Sequence, residues 1–100
     1  MTTQEFNDLI KSNDYVCAKC SACWCGPCKT MGKTIDEVKG DYPNINFVEI
    51  DIDESPEIAS EYKVRSIPTI LYIKKGEVVD KSVGNIGREK FIERLTTLTA

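Results

Sequence analysis

The apolar positions along this chain switch between a helical period and a period of two. In Gln4 to Ser12, Phe6, Leu9 and Ile10 share one side, which predicts a short amphipathic helix. Tyr15 to Ala22 is small and apolar apart from Lys19 and Ser21, and predicts a buried strand. A helical pattern returns from Gly26 to about Val38, with Met31, Ile35 and Val38 inward and Gly40 placed to end it. Asn46 to Asp53 alternates, with Val48, Ile50 and Ile52 on one face and Phe47, Glu49 and Asp51 on the other. Ser55-Pro56-Glu57 supplies a cap, a first-turn proline and an early acid, so a helix is predicted to about Tyr62. Thr69 to Lys74 and Glu77 to Val83 are strands rich in β-branched residues, joined by a tight turn at Lys75-Gly76. Gly84 breaks the second of them. Arg88 to Leu98 is a last helix, with Phe91, Leu95 and Leu98 in register.

The predicted order is α-β-α-β-α-β-β-α. Alternating β and α units followed by a hairpin imply an α/β fold, a central mixed four-stranded sheet with helices on both faces. One hundred residues give a single domain over 1–100. A chain 41% hydrophobic and 29% charged has the composition of an ordinary globular protein. Thirteen basic residues against sixteen acidic ones leave a net charge of −3, without the basic excess that nucleic acid binding asks for. No apolar run approaches the roughly 20 residues of a membrane span. Met1 to Leu9 lacks the pattern of a signal peptide, so a cytoplasmic location is expected. Histidine is absent, which removes His-dependent triads and imidazole zinc ligands.

The cysteines change the picture. All five lie between Cys17 and Cys28, which points to local thiol or metal chemistry and not to a disulfide scaffold closing loops across the fold. In Trp24-Cys25-Gly26-Pro27-Cys28-Lys29, a buried strand turns into a helix. Two cysteines three apart on a first helical turn lie on one side, close enough to bridge. Unpaired N–H groups and the helix dipole favour a thiolate at Cys25, and Pro27 is tolerated because its missing N–H has no helical partner there. Cys25 is then the candidate nucleophile that attacks a substrate disulfide. Cys28, the more buried and less acidic thiol, is the candidate resolving group that attacks Cys25 and releases the reduced substrate.

The hexapeptide Trp24 to Lys29 resembles the active-site motif of the thioredoxin family. Val64-Arg65-Ser66-Ile67-Pro68-Thr69 is a second match, and Val83-Gly84 ahead of the last helix is a third. The resemblance covers the chain from about Gln4. It implies a protein-disulfide oxidoreductase that maintains cell redox homeostasis, with a redox disulfide Cys25–Cys28 and no cofactor. It implies a cis Pro68 facing the dithiol, backbone contacts to substrate from Ile67, and a substrate surface including Trp24, Gly26, Pro27, Val83 and Gly84. The implied partners are a thioredoxin reductase of unspecified type and substrate proteins carrying disulfides. Neither nucleic acid nor membrane is among them. Asp51, Asp53, Glu54 and Glu57 read as a solvated acidic cluster.

Three cysteines remain. Cys17, Cys20 and Cys23, together with the pair, make a run reminiscent of iron–sulfur spacing, so a cluster- or zinc-binding protein is the rival reading. Strand geometry opposes it, because Cys17 and Cys20 are an odd step apart and face opposite ways. They suit core positions. Cys23, at the strand's exit, is expected to be an exposed, redox-sensitive thiol, able to link an otherwise monomeric chain into a dimer under oxidation. A catalytically silent adaptor on the same fold is the other rival.

The chain also departs from the family it resembles. The family's buried Asp six residues before the first active-site cysteine is Lys19 here, and the Lys that accompanies it on the neighbouring strand is Glu49. An ion pair of reversed polarity follows as an expectation, with Glu49 as proton acceptor for Cys28 and Lys19 favouring the thiolate. In the alternative, Glu49 reaches solvent and Lys19 snorkels. The family's first strand is missing, so Asn46 to Asp53 becomes a sheet edge. Lys33 replaces a helix-kinking proline, which leaves any bend to Gly32.

Overall fold

A computed structural model describes residues 1–100. The chain opens with helix α1 (Thr3–Ser12), one residue earlier than the apolar period alone predicts. Thr2 is the reason: its hydroxyl accepts the Glu5 N–H at 3.1 Å while the Glu5 carboxylate accepts the Thr2 N–H at 2.8 Å, a reciprocal cap. Strand β1 (Tyr15–Ser21), helix α2 (Gly26–Val38), strand β2 (Asn46–Asp51), helix α3 (Pro56–Glu61), strands β3 (Thr69–Lys74) and β4 (Glu77–Val83), and helix α4 (Arg88–Leu98) follow. After α2 the chain tightens into a 3-10 turn over Lys39–Asp41 that contains Gly40. β2 stops two residues short of Asp53, because the Asp51 side chain accepts the Asp53 N–H at 2.8 Å and turns the backbone out of the sheet.

The four strands form one mixed sheet in the order β2-β1-β3-β4. β1 runs parallel to β2 and antiparallel to β3, and β3 is antiparallel to β4. β2 is therefore an edge strand, as expected. The β3–β4 turn places Lys75 at φ 51° and Gly76 at φ 83°, the doubly left-handed geometry that matches strand twist.

The sheet separates two apolar cores. On one face Phe6 and Ile10 of α1 and Ile58 of α3 pack on Val16, Ala18, Cys20, Ile50, Leu71 and Ile73. On the other, Met31, Ile35 and Val38 of α2 and Phe91, Leu95 and Leu98 of α4 pack on Cys17, Ile70 and Tyr72. Strand alternation sends Cys17 and Cys20 to opposite cores, as their odd spacing requires. The Tyr72 hydroxyl reaches the Ser82 hydroxyl at 2.9 Å, so its buried polar end is satisfied.

Candidate active site

β1 lies at the centre of the sheet and leads by a short loop into α2, carrying the cysteine pair to the sheet's end. The Cys25 N–H donates to the Ala22 carbonyl at 3.2 Å, which closes that loop. Cys25 occupies the N-cap of α2 with extended backbone, and its Sγ accepts the Cys28 N–H at 3.2 Å. A sulfur thus stands where a helix start ordinarily places a Ser, Thr or Asp oxygen. The aligned N–H groups of the first turn favour negative charge on it. Cys25 and Cys28 form a disulfide with Cα atoms 5.3 Å apart. The expected contrast in burial is small, since Cys25 is 5% and Cys28 2% exposed. The two sulfurs differ instead by place: one is the helix cap, and the other lies inside the first turn.

The strand registers, Cys20 opposite Thr69 and Thr69 opposite Val83, bring the proline loop and Val83-Gly84 to the same end of the sheet. Gly26 and Pro27 are exposed on the first turn. Trp24 is 67% exposed, and its indole Nε1 donates to the Asp53 carboxylate at 2.9 Å. The Ile67–Pro68 peptide bond is cis, with Ile67 half-buried and Pro68 buried. The Gly84 N–H donates to the Pro68 carbonyl at 2.8 Å, tying the Val83-Gly84 segment to the proline loop. Val83 is exposed beside it. Trp24 and Val83 are both large apolar side chains left open to solvent.

Two contributors escaped the sequence reading. Asp53, in the cluster that the sequence presents as solvated acids, accepts a hydrogen bond from the Trp24 indole across 29 residues of sequence. Gly32 was read only as a place for a bend. A Cβ at that position would lie 2.8 Å from Lys19 Nζ, so a side chain there would displace the ammonium.

Lys19 is only 7% exposed. Its Nζ lies 3.2 Å from a Glu49 carboxylate oxygen and donates to the Cys28 carbonyl at 3.3 Å. The reversed-polarity pair therefore forms, aided by the β1–β2 register that sets Lys19 opposite Glu49. It is buried at one end only, because the Glu49 side chain is 66% exposed. Glu49 reaches solvent, as the alternative reading has it, because β2 is the sheet edge, while Lys19 stays buried. The carboxylate meets the Lys19 ammonium, and it is Lys19 that reaches the Cys28 backbone.

The free thiols occupy three environments. Burial pushes the Cys17 thiol up from 9.0 to about 12 and the Cys20 thiol from 9.0 to about 11. Cys23 is exposed. With Cys17 and Cys20 in separate cores, the five sulfurs do not converge, and no group of three His, Cys, Asp or Glu side chains is placed to hold a metal ion. The cluster-binding reading has no support in this geometry.

A dithiol capped on a helix start at the end of a central strand defines a thiol–disulfide exchange protein. A family model described as Thioredoxin matches residues 1–97. The chain is 40% identical over 91 residues to a thioredoxin of Mycoplasmoides gallisepticum, covering 91% of each chain. It is 46% identical over 81 residues, 81% of its own length, to Thioredoxin-2 of Pyricularia oryzae, of which it spans 47%. Among solved structures, oxidised mitochondrial thioredoxin 3 of Saccharomyces cerevisiae superposes with a TM-score of 0.91 at 35% identity, over 96% of this chain and 90% of that one. The chain belongs to the thioredoxin family, whose members are protein-disulfide oxidoreductases.

Proposed function

We propose that this chain reduces protein disulfides through Cys25 and Cys28, with Cys25 as nucleophile and Cys28 as resolving thiol. The observation that carries the reading is the cysteine pair placed across the cap of α2. The Cys25 thiolate attacks one sulfur of a substrate disulfide, and the other substrate sulfur leaves as a thiolate that takes up a proton. Cys28, as its thiolate, then attacks Cys25 in the mixed disulfide. The Cys25–Cys28 bond forms, the substrate departs as its second thiol, and two electrons have moved from protein to substrate. Substrate docks over Trp24, Gly26, Pro27 and Val83, with Ile67, Pro68 and Gly84 shaping the wall opposite the dithiol. The cycle is completed by an electron-donating thioredoxin reductase that restores the dithiol.

The test is insulin reduction driven by dithiothreitol. Parent protein is expected to accelerate it and Cys25→Ser to leave it at the uncatalysed rate. Equal rates for the two would overturn the reading.

A reducing, cytoplasm-like compartment is the proposed setting, supported by three free thiols beside the working pair. Fractionation of cells is its check. The chain is proposed to act as a monomer that links through exposed Cys23 under oxidation. Non-reducing electrophoresis after peroxide treatment is expected to show a dimer in the parent and none in Cys23→Ser.

A further inference from the structure

A charged side chain as buried as Lys19 is costly unless its surroundings are arranged for it. They are arranged here from three sides. Glu49 supplies a counter-charge at 3.2 Å, the Cys28 carbonyl accepts a hydrogen bond at 3.3 Å, and Gly32 omits the Cβ that would lie 2.8 Å from the ammonium. A methionine or leucine would fill the same site without these provisions. All three act on the Lys19 ammonium, and the hydrogen bond among them ties it to the backbone of the resolving cysteine.

We propose that Lys19 is a positioning residue that sets the thiolate fraction of Cys28, its buried ammonium lowering the pH at which the resolving thiol becomes nucleophilic. The inference rests on the dithiol reading above. In the mixed disulfide, Cys28 must lose its proton before it can attack, and burial alone opposes that loss. A fixed positive charge held at the same residue favours it by Coulomb attraction. Glu49 acts in the opposite sense. Its carboxylate keeps Lys19 in place and partly cancels its field, and its exposure lets solvent screen the remainder.

Lys19, Glu49 and Cys28 line a groove of about 550 Å³, and other charged or titratable groups face it. Lys29, Lys33 and Asp36 project from α2, Asp51 from β2, and Cys23 from the loop before the dithiol. All five residues are at least partly exposed, unlike Lys19. They add a screened background, whereas the Lys19 charge is held in contact with Cys28.

The experiment separates the two chemical steps. The reduced full-length chain, carrying Cys23→Ser to silence the exposed third thiol, is mixed with dithiobis-nitrobenzoate in a stopped-flow instrument. Attack by Cys25 releases one coloured thiolate, and attack by Cys28 on the resulting mixed disulfide releases a second. The pH profile of the second phase reports the Cys28 thiolate. Lys19→Met is expected to move its midpoint up by about one pH unit and to slow resolution about tenfold near neutrality. Glu49→Gln, a change at an exposed position, is expected to move the midpoint down or leave resolution faster.

An unmoved midpoint in Lys19→Met with the first phase intact would overturn the inference. Slower resolution in Glu49→Gln at every pH would also overturn it, assigning Glu49 the part of proton acceptor for Cys28. If Lys19→Met fails to fold, Glu49→Gln alone decides by the direction of its shift. Absence of the first phase in the parent would defeat the dithiol reading itself, a distinct result.

Discussion

Four of the five cysteines that lie within twelve residues divide between two settings, and the settings give them opposite chemistry. Cys17 and Cys20 lie on the central strand β1, one in each core, with thiols that burial holds in the protonated state. Cys25 and Cys28 lie eight residues further along, where β1 has given way to the start of α2. They are almost as inaccessible as the strand thiols, so exposure is not what separates the groups. Backbone dipole is. The strand buries its sulfurs in the two apolar cores, with backbone hydrogen bonds already spent in the sheet. The helix start offers N–H groups with no other acceptor, one of which reaches Cys25 Sγ at 3.2 Å. Reactivity in this chain is a property of position in the fold.

The largest effect follows directly. Cys25→Ser is expected to reduce insulin turnover by at least about a thousandfold, since no other thiol occupies the cap. Cys17→Ala is expected to retain turnover within about twofold while lowering stability by about 1 kcal/mol, the cost of a small core deletion. Parallel insulin assays and urea titrations check both halves. Loss of turnover in Cys17→Ala with the fold intact would break the division between the two settings.

The next effect is read in alkali. In the unfolded chain both strand thiols ionise near the ordinary 9.0, whereas burial delays this to about 12 at Cys17 and about 11 at Cys20. Below pH 9 the thiols are neutral in both states and their contribution to stability is fully present. Above it the unfolded chain releases protons that the folded chain retains, so folding loses ground until the folded thiols also ionise. Each such thiol steepens the decline by about 1.4 kcal/mol per pH unit. Urea midpoints measured above pH 9 are expected to fall less steeply in Cys17→Ala than in the parent. Parallel slopes would mean that the strand thiol is not held neutral.

Much of this arrangement is legible in the sequence, and what is not has a common cause. Element order follows from local period, because Phe6, Leu9 and Ile10 or Phe91, Leu95 and Leu98 reveal their helices within a few residues. The dithiol is equally local, a strand, a Trp-Cys-Gly-Pro-Cys segment and a helix in succession. The resemblance in Val64 to Thr69 adds the cis Ile67–Pro68 bond that the structure contains. Asp53 under the Trp24 indole and Gly32 beside the Lys19 ammonium are different, since each depends on a partner at least 13 residues away with no pattern linking them. The end of β2 was missed because a side chain, Asp51, competes with the sheet for backbone N–H groups. Exposure of Glu49 depends on what covers an edge strand, and alternation along that strand does not carry this information.

The smallest effect compares two helix caps. Thr2 caps α1 with a hydroxyl, and Cys25 caps α2 with a sulfur, each accepting an N–H three residues on. An oxygen is the better acceptor of the two, so the sulfur cap gives up some helix stability in favour of redox chemistry. Thr2→Ala is expected to cost about 1 kcal/mol, seen as a lower urea midpoint at unchanged slope, with insulin turnover unaltered. Cys25→Ser, by the same reasoning, replaces the sulfur with an oxygen acceptor. It is expected to match or exceed the reduced parent in urea midpoint while having no activity. A Cys25→Ser protein clearly less stable than the reduced parent would show that the sulfur is not a compromised cap, and the contrast between the two helix starts would then be one of reactivity alone.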